Sequence, residues 1–383
     1  MKKSILLMCL WIGFGILLQS CQKDDNGGGP DIDDEEEEYE LPAPVLTISN
    51  PVPCLNEEVE FSFTTDVAVS QTWSLGDQSS SSEKTVKHSY TQEGVFNIIL
   101  KLSDGKGGTV RVDTTVSVMG KRMNDALADL MNNPSRKWIC AHRANTYYGK
   151  KIGGIPENSV EAVQRAIEAG VEMVEVDVKT TSDGVPVIMH DELIDRTTNG
   201  AGAIAEMTLS FLKRFNLKAE NGDLTTSKVP TLEEILLAGR GKVFYDLHLG
   251  AVNASDVVNL VDSLHMLDRV AFYTGSQKTF AQKFSDVNSQ IILFPYVKST
   301  SVIDYWAEDP RIKMIQLDYN ASTARDIVTA AKAKDMASFG NYLYEKGELI
   351  LQGDYSVLDS IVNLQFHIIQ TDYAEYVNAH LGK

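Results

Sequence analysis

From residue 138 to the C-terminus, short apolar segments of strand length alternate with amphipathic segments of helical length. This alternation restricts the fold more than any other feature, because repeated β-α units over about 250 residues favour a (β/α)8 barrel over an open doubly wound sheet. It predicts one strand more than such a barrel needs. The predicted strands are 138–141, 173–178, 185–189, 243–249, 270–273, 291–297, 314–317, 338–343 and 368–370.

The helix after the first of these strands is predicted over residues 159–169. Asn158 is expected to cap its start, with Glu161 at the third helical position. Gly170 is expected to end it, because glycine adopts the left-handed conformation common after a last helical turn.

Polar residues are concentrated at the C-terminal ends of the predicted strands, where a barrel of this class carries its active site. Glu175 and Asp177 are two residues apart on one strand, so their side chains share a face. Asp246 and His248 repeat this spacing on a later strand. Carboxylates in such positions are costly to bury without partners, which indicates a functional site. The other strand-end residues are His142, Arg143, Lys298, Asp318, Thr371 and Asp372.

The additional strand is explained by Asp183-Gly184, a strong signal for a two-residue hairpin turn. The segment 173–178 would then continue past the barrel and fold back over its mouth. With this pair at the centre of the turn, Asp177 lies opposite His190, within cross-strand distance.

Residues 42–119 contain only strand and turn signals, which are typical of a β-sandwich. Trp73, Asp77, His88 and Tyr90 lie in segments that resemble a PKD domain, an immunoglobulin-like module. The resemblance implies that the Trp and Tyr are core residues and that Asp77 lies in a turn. No acid-base partner for His88 is evident, so it is not expected to be catalytic. Such modules act as spacers or adhesive surfaces, which implies a cell surface or glycan as the contact.

Residues 120–383 resemble the glycerophosphodiester phosphodiesterases, which are metal-dependent (β/α)8 barrels. Weaker matches lie at 230–234 and 371–373. The segments that carry the resemblance are Ala141-His142-Arg143, Pro156-Glu157-Asn158-Ser159, Glu175-Val176-Asp177-Val178, residues 183–191 and Arg196-Thr197-Thr198-Asn199-Gly200.

This resemblance implies catalytic roles for three residues. His142 and His190 match an acid-base pair, in which one imidazole deprotonates the attacking hydroxyl and the other protonates the leaving alkoxide. Arg143 matches the residue that stabilises the phosphate charge.

The resemblance also implies a divalent cation, Ca²⁺ or Mg²⁺, since both prefer oxygen ligands. The implied metal ligands are Glu175, Asp177 and Asp246. The implied substrate or phosphate contacts are Arg143, Glu157, His248 and Lys298.

The chain departs from the family pattern at several positions. Ala144 stands where the family usually has Gly, and Asp246-Leu247-His248 stands where it usually has Glu-Leu-Lys. Asp246 can still bind a metal, although its side chain is one methylene shorter. His248 replaces a fixed positive charge with a group that titrates near neutrality. We therefore expect retained activity and an altered substrate pocket.

Residues 1–20 have the pattern of a signal peptide, with Lys2 and Lys3 before an apolar segment. Residues 18–21 resemble a lipobox, which implies that a lipidated Cys21 anchors the mature protein to a membrane. The alternative is an ordinary secretory signal with an incidental cysteine. The acidic segment after Cys21 resembles an export tag of surface lipoproteins. The expected location is therefore the outer membrane of a Gram-negative bacterium, surface-exposed or facing the periplasm.

Residues 21–41 are expected to form a flexible tether, because the carboxylates of the acidic run 31–38 repel one another. The formal net charge of −18 argues against a nucleic-acid partner. Cys54 and Cys140 fall in different predicted domains, and two separate buried thiols are favoured over a disulfide.

Three functions fit these observations. The leading one is hydrolysis of glycerophosphodiesters to glycerol 3-phosphate and an alcohol. The second is a related phosphodiesterase that acts on another headgroup or on a polymer. The third is a surface binding protein that has kept the fold and lost turnover, which the β module and the changes at Asp246 and His248 would suit.

Overall fold

The computed structural model describes residues 41–145 and 154–383. The predicted signal peptide and Cys21 lie outside the described residues, as does the predicted tether apart from Leu41. Among the helices that are described, none is both long and apolar enough to cross a membrane.

The N-terminal part of the described chain is a β-sandwich of two antiparallel sheets, with strand orders β1-β2-β5 and β4-β3-β6-β7. Its core contains Phe61, Trp73 and Tyr90, so the predicted core positions of the Trp and Tyr are confirmed. The Tyr90 hydroxyl donates to the backbone oxygen of Leu75 at 3.0 Å. The strands are β1 (Val45–Ile48), β2 (Glu58–Thr64), β3 (Ser70–Ser74), β4 (Ser80–Ser81), β5 (Thr85–Ser89), β6 (Gly94–Ser103) and β7 (Thr109–Val118).

The expectation that His88 lacks a carboxylate partner is wrong. Its Nε2 lies 2.7 Å from Oδ2 of Asp77, and its ring meets Tyr90 edge-on. Asp77 also accepts from the backbone N–H of Ser79, as a turn residue does. The pair therefore fixes a turn against the sandwich core.

The rest of the described chain forms a parallel barrel. The sheet has nine strands in the order β13-β12-β11-β9-β8-β16-β15-β14, with β10 paired only to β9. The ring closes between its first and last members, because Val297 N–H donates to Gln316 O at 2.8 Å. Its strands are β8 (Trp138–Ala141), β9 (Met173–Thr180), β10 (Pro186–Ile188), β11 (Phe244–Leu249), β12 (Val270–Gly275), β13 (Ile292–Pro295), β14 (Met314–Leu317), β15 (Ala337–Tyr342) and β16 (Ile368–Thr371).

Helices surround this ring, as the predicted (β/α)8 barrel requires. Their buried faces pack on the outward residues of the strands in one large apolar cluster. The helices are α1 (Met123–Met131), α2 (Val160–Glu168), α3 (Leu209–Leu212), α4 (Leu232–Ala238), α5 (Ala254–Ser263), α6 (Lys278–Ser285), α7 (Ile303–Ala307), α8 (Ala324–Lys332), α9 (Tyr344–Glu348), α10 (Ser356–Asn363) and α11 (Ala374–His380).

The barrel interior is apolar at one end and polar at the other. Met173 and Phe244, near the starts of β9 and β11, belong to a buried cluster that α1 completes with Leu127 and Leu130. Since strand side chains alternate, the next inward residues on β9 are Glu175 and Asp177, and on β11 they are Asp246 and His248. The apolar layer thus supports the polar layer at the mouth.

The predicted hairpin forms, but its predicted register is wrong by one residue. Thr181 N–H donates to Val185 O, so the loop has three residues rather than two. Asp183 accepts from the Thr181 hydroxyl, and Gly184 takes φ of 82°, which a three-residue loop with a terminal glycine requires. Met189, not His190, therefore lies opposite Asp177.

The predicted helix cap is also wrong by one residue. Ser159, not Asn158, caps α2, because its side chain accepts from the backbone N–H of Ala162. Asn158 takes φ of 54° and turns its amide towards the barrel mouth. Gly170 ends the helix with φ of 72°, as predicted.

The two remaining cysteines are separate. Cys54 and Cys140 are both buried and free, which confirms the prediction of two thiols. Burial raises the pKa of the Cys54 thiol to about 12.

Candidate active site

The segment after β8 places two predicted catalytic residues at the barrel mouth. His142, Arg143 and Ala144 form one 3-10 turn, in which Arg143 has φ of 53° and Ala144 has φ of 56°. Positive φ at residues other than glycine is uncommon, and strained backbone of this kind tends to cluster at active sites. The positive φ of Ala144 also explains why the family usually has glycine at this position, since glycine adopts positive φ without strain.

His142 is held by a carboxylate from the last strand. Its Nδ1 lies 2.6 Å from Oδ1 of Asp372, and its Nε2 lies 4.0 Å from Oε2 of Glu175. Burial alone would lower the pKa of His142, but the bond to Asp372 and the charge of Glu175 raise it above its ordinary value. This arrangement fixes the ring and leaves Nε2 facing the carboxylates.

The sequence indicated Asp372 only as a strand-end residue, so its contact with His142 was not predicted. The signal for it was the closure of the barrel, because β16 pairs with β8 and Thr371 lies opposite Ala141. The following residues, Asp372 and His142, are then neighbours across the two strands.

Four predicted site residues meet on β9 and β11. The parallel register sets Asp246 beside Glu175 and His248 beside Asp177. One ligand atom from each of Glu175, Asp177 and His248 can be chosen so that all three lie within 4.8 Å of one another. Burial, together with the nearby Asp177 charge, raises the pKa of Glu175 to about 7.

Asp246 is fully buried, and neither of its carboxylate oxygens has a hydrogen-bond donor among the described residues. His248 Nε2 is nearby, 3.2 Å from Oδ2. Burial opposes the charged form of His248, but Asp246 and Glu175 outweigh it and raise the pKa of the imidazole to about 10. Unsatisfied buried oxygens beside other carboxylates suit a bound cation, so the residues fit the divalent metal that the family pattern implies.

Asn158, the mispredicted helix cap, supports this cluster. Its side-chain amide donates to Oδ2 of Asp177 at 2.9 Å, and its Oδ1 accepts from the Asp177 backbone N–H at 3.3 Å. The two bonds fix the Asp177 carboxylate at the mouth.

The Glu157 carboxylate bridges two arginine side chains at the barrel mouth. It accepts from Nη1 of Arg143 at 3.0 Å and from Nη2 of Arg196 at 2.7 Å. Glu220 also approaches, and burial together with the Glu157 charge raises the pKa of Glu220 to about 7. Glu157 is therefore placed to hold Arg143 rather than to reach the cation cluster directly.

His190 lies one residue beyond the strand pairing and is exposed. Its Nδ1 is 2.6 Å from Oδ1 of Asp191, and Arg196 Nε donates to the other Asp191 oxygen at 2.7 Å. Those bonds, Arg196 first, hold the pKa of Asp191 well below its usual range. His190 is therefore oriented by Asp191, not by the predicted proximity to Asp177.

Lys298 is at the mouth but outside the cluster. The side chain is exposed, and its ammonium lies 5.5 Å from the ring centroid of Tyr296. The Tyr296 hydroxyl donates to Asp318 at 2.5 Å, so Asp318, another strand-end residue, fixes this tyrosine.

The site therefore contains three imidazoles, from His142, His190 and His248, with a buried guanidinium and a group of carboxylates at one barrel mouth. The imidazoles can accept and donate protons as one bond forms and another breaks. The carboxylates can bind a cation, and the guanidinium beside them can bind an anion. That combination suits transfer of a phosphoryl group.

Known proteins resemble this chain in sequence. The family model described as glycerophosphoryl diester phosphodiesterase matches residues 142–346, and the PKD domain model matches residues 45–118. Glycerophosphodiester phosphodiesterase 1 from Bos taurus is 33% identical over 127 residues, covering 32% of this chain and 37% of the relative. A glycerophosphodiester phosphodiesterase from Caldanaerobacter subterraneus is 37% identical over 98 residues, covering 25% of this chain and 38% of the relative. The chain thus spans less than two thirds of these relatives.

Solved structures share the fold. A glycerophosphoryl diester phosphodiesterase from Parabacteroides distasonis has a TM-score of 0.58 at 21% identity, covering 68% of this chain and 91% of the other. An Oleispira antarctica phosphodiesterase, solved with the product sn-glycerol-3-phosphate, has a TM-score of 0.51 at 19% identity, covering 65% and 98%. Because the family model spans more than half of the 383 residues and begins at His142, the chain belongs to the glycerophosphoryl diester phosphodiesterase family.

Proposed function

We propose that this protein is a metal-dependent phosphodiesterase that hydrolyses glycerophosphodiesters to glycerol 3-phosphate and an alcohol. The observation that carries the proposal is the position of His142, whose Nδ1 is held by Asp372 while its Nε2 faces Glu175. Family membership, the activity in the names of the relatives and the product bound to the Oleispira antarctica neighbour support the same reaction.

His142 and His190 divide the proton transfers. With Nδ1–H donated to Asp372, Nε2 of His142 carries the lone pair that accepts the proton of the attacking hydroxyl. When the attacker is the glycerol hydroxyl of the substrate, the alcohol leaves and a cyclic phosphate forms, which water then opens to glycerol 3-phosphate. His190, oriented by Asp191, donates a proton to the leaving alkoxide. Each imidazole is thus paired through Nδ1 with its own carboxylate, so the neutral His142 accepts a proton at Nε2 and the protonated His190 donates one from Nε2.

Arg143 neutralises the phosphate charge as the bonds to phosphorus change. Glu157 holds its guanidinium in the buried mouth, and Arg196 holds Glu157 from the other side. A divalent cation, when bound by Glu175 and Asp177 with Asp246 as the third predicted ligand, supplies Lewis-acid polarisation of a phosphoryl oxygen.

A substrate panel tests the proposal. The full chain would be incubated with glycerophosphocholine, glycerophosphoethanolamine, glycerophosphoglycerol and glycerophosphoinositol in the presence of Ca²⁺, Mg²⁺, Co²⁺ or Zn²⁺, and released glycerol 3-phosphate measured. Release from at least one diester is the expected result, and His88→Gln, in the sandwich, serves as the matched histidine control. Absence of release from every diester would contradict the proposal and favour the binding protein.

We also propose that Cys21 is lipidated and anchors the enzyme in the outer membrane of a Gram-negative bacterium. The support is the sequence pattern of residues 1–25 alone. Labelling with a radioactive fatty acid tests it, since the label should enter the wild-type protein and be absent from Cys21→Ser. Equal labelling of the two proteins would contradict the anchor.

A further inference from the structure

The position of His248 does not fit the phosphate contact that the family pattern assigns to it. On β11 it shares the inward face with Asp246, and the register of β11 against β9 places it beside Asp177. The side chain of His248 therefore lies among the carboxylates of Glu175, Asp177 and Asp246, the predicted metal ligands on β9 and β11.

The ring of His248 is fixed in this orientation. It stacks on Tyr273 with centroids 4.3 Å apart and an angle of 13° between the ring planes. Nδ1 then lies 3.5 Å from Oε1 of Glu175, and Nε2 lies 3.2 Å from Oδ2 of Asp246. Both nitrogens are directed at carboxylates, so one of them can face an ion between Glu175 and Asp177 while the other faces Asp246.

Asp246 gives the second observation. It is 0% exposed, and both of its oxygens lack a hydrogen-bond donor among the described residues. Among the described residues of the barrel mouth, the three side chains whose ligand atoms lie within 4.8 Å of one another are Glu175, Asp177 and His248, and Asp246 is not one of them. A metal-bound histidine commonly gives its second ring N–H to a carboxylate, and Oδ2 of Asp246, which is 3.2 Å from Nε2 and has no other donor among the described residues, is in position to receive it.

We propose that Nδ1 of His248 is a direct ligand of the cation together with Glu175 and Asp177, and that Asp246 orients His248 through Nε2. His248 thus takes the ligand role that was expected of Asp246, and Asp246 supports it. Because an imidazole nitrogen favours first-row transition metals over Ca²⁺ and Mg²⁺, the site takes a dication of the Co²⁺ and Zn²⁺ class. The inference rests on the proposed function only in assuming a cation at this mouth.

Binding of metal alone, without substrate, tests the inference. Co²⁺ and Mg²⁺ would be titrated calorimetrically into the metal-stripped full chain and into His248→Gln. We expect the variant to bind Co²⁺ more weakly by more than the about 10- to 100-fold typical of losing a partner that only orients a ligand, with Mg²⁺ binding unchanged. An equal loss of both metals would show a merely structural effect and overturn the inference.

Proton NMR of the Co²⁺-loaded protein reads the ligand directly, through the strongly shifted, exchangeable N–H of a coordinated imidazole. We expect this resonance in the wild-type protein and in His142→Gln, whose histidine also lies near Glu175. It should be lost in His248→Gln and in His248→Lys, which provides a second variant if the first does not fold. Absence of the resonance from the Co²⁺-bound wild-type protein, or its survival in both His248 variants, would overturn the inference.

Neither readout requires turnover. If His248 does not bind the metal, the proposed hydrolysis of glycerophosphodiesters is unaffected. If no diester is hydrolysed, the inference about the metal is unaffected.

Discussion

Nδ1 of His142 lies 2.6 Å from Oδ1 of Asp372, although 230 positions separate the two residues in the chain. The contact exists because the last barrel strand pairs with the first, which closes the ring at the mouth. A buried carboxylate that fixes an imidazole sets its tautomer and stabilises its protonated form.

Asp372→Asn should therefore lower the rate constant of diester hydrolysis by about 10²- to 10⁴-fold, the range of general acid-base contributions. It should also move the acid limb of the kcat/KM profile to lower pH, since the Asp372 bond raises the pKa of His142. Asp359→Asn is the matched control, because it alters a His–Asp contact with His380 at the surface. An unchanged pH profile in Asp372→Asn would contradict this role.

Removal of the Glu157 carboxylate should destabilise the protein. Glu157 is 3% exposed and joins Arg143 to Arg196, so Glu157→Gln removes the carboxylate that accepts hydrogen bonds from the buried Arg143 guanidinium. We expect the free energy of unfolding to fall by about 3 kcal/mol, at the lower end for a broken buried pair because Arg196 is partly exposed. Chemical denaturation measures it. Glu220→Gln, which keeps a neutral partner beside Glu157, should cost much less, and equal losses would argue against the bridge.

Glu175→Gln should separate stability from function. Burial and the Asp177 charge raise the pKa of Glu175 to about 7, so the stability that its neutral form contributes is lost as pH rises from about 4.5 through 7. The metal-free variant should therefore be about 1–3 kcal/mol more stable than wild type at pH 8, while diester hydrolysis is lost. Thermal melts across pH check this, with the exposed Glu168→Gln as control. The prediction would be contradicted if the stability of the variant minus that of wild type were smaller at pH 8 than at pH 5.

His367 should make the fold sensitive to acid. It is 4% exposed, its Nδ1 accepts from the Ser338 backbone N–H, and burial lowers its pKa to about 4. Because the folded pKa is depressed, this contribution is present above about pH 6.5 and is lost as pH falls towards 4, a total of about 3 kcal/mol. His367→Asn keeps an acceptor but cannot titrate, so denaturation between pH 7 and 4 should show a shallower loss. Parallel curves for the two proteins would rule out this titration.

The barrel itself followed from the sequence because its signals are local and repeated. Each predicted barrel strand lies within a few residues of an observed one, and the mouth carries the predicted side chains from Glu175 to His248. The sequence pattern could not distinguish two hairpin turns of similar stability. Asp183-Gly184 fits a two-residue loop, and the Thr181–Asp183 bond stabilises the three-residue loop instead.

The remaining errors concern contacts between distant segments. Asn158 and Ser159 are both good cap residues, and only the approach of Asp177 draws Asn158 away from the helix. Asp372 contacts His142 because β16 pairs with β8, and Asp77 contacts His88 from a separate segment of the sandwich. Such pairings depend on strand order, which no local pattern records.

The central claim is that His142 and His190 perform the proton transfers of diester hydrolysis. It is tested most directly by kcat/KM for the diester turned over fastest, measured for wild type, His142→Gln, His190→Gln and the double variant. We predict that each single variant loses about 10²- to 10⁴-fold and that the double variant has no measurable turnover. Turnover at the wild-type rate in either single variant would contradict the account.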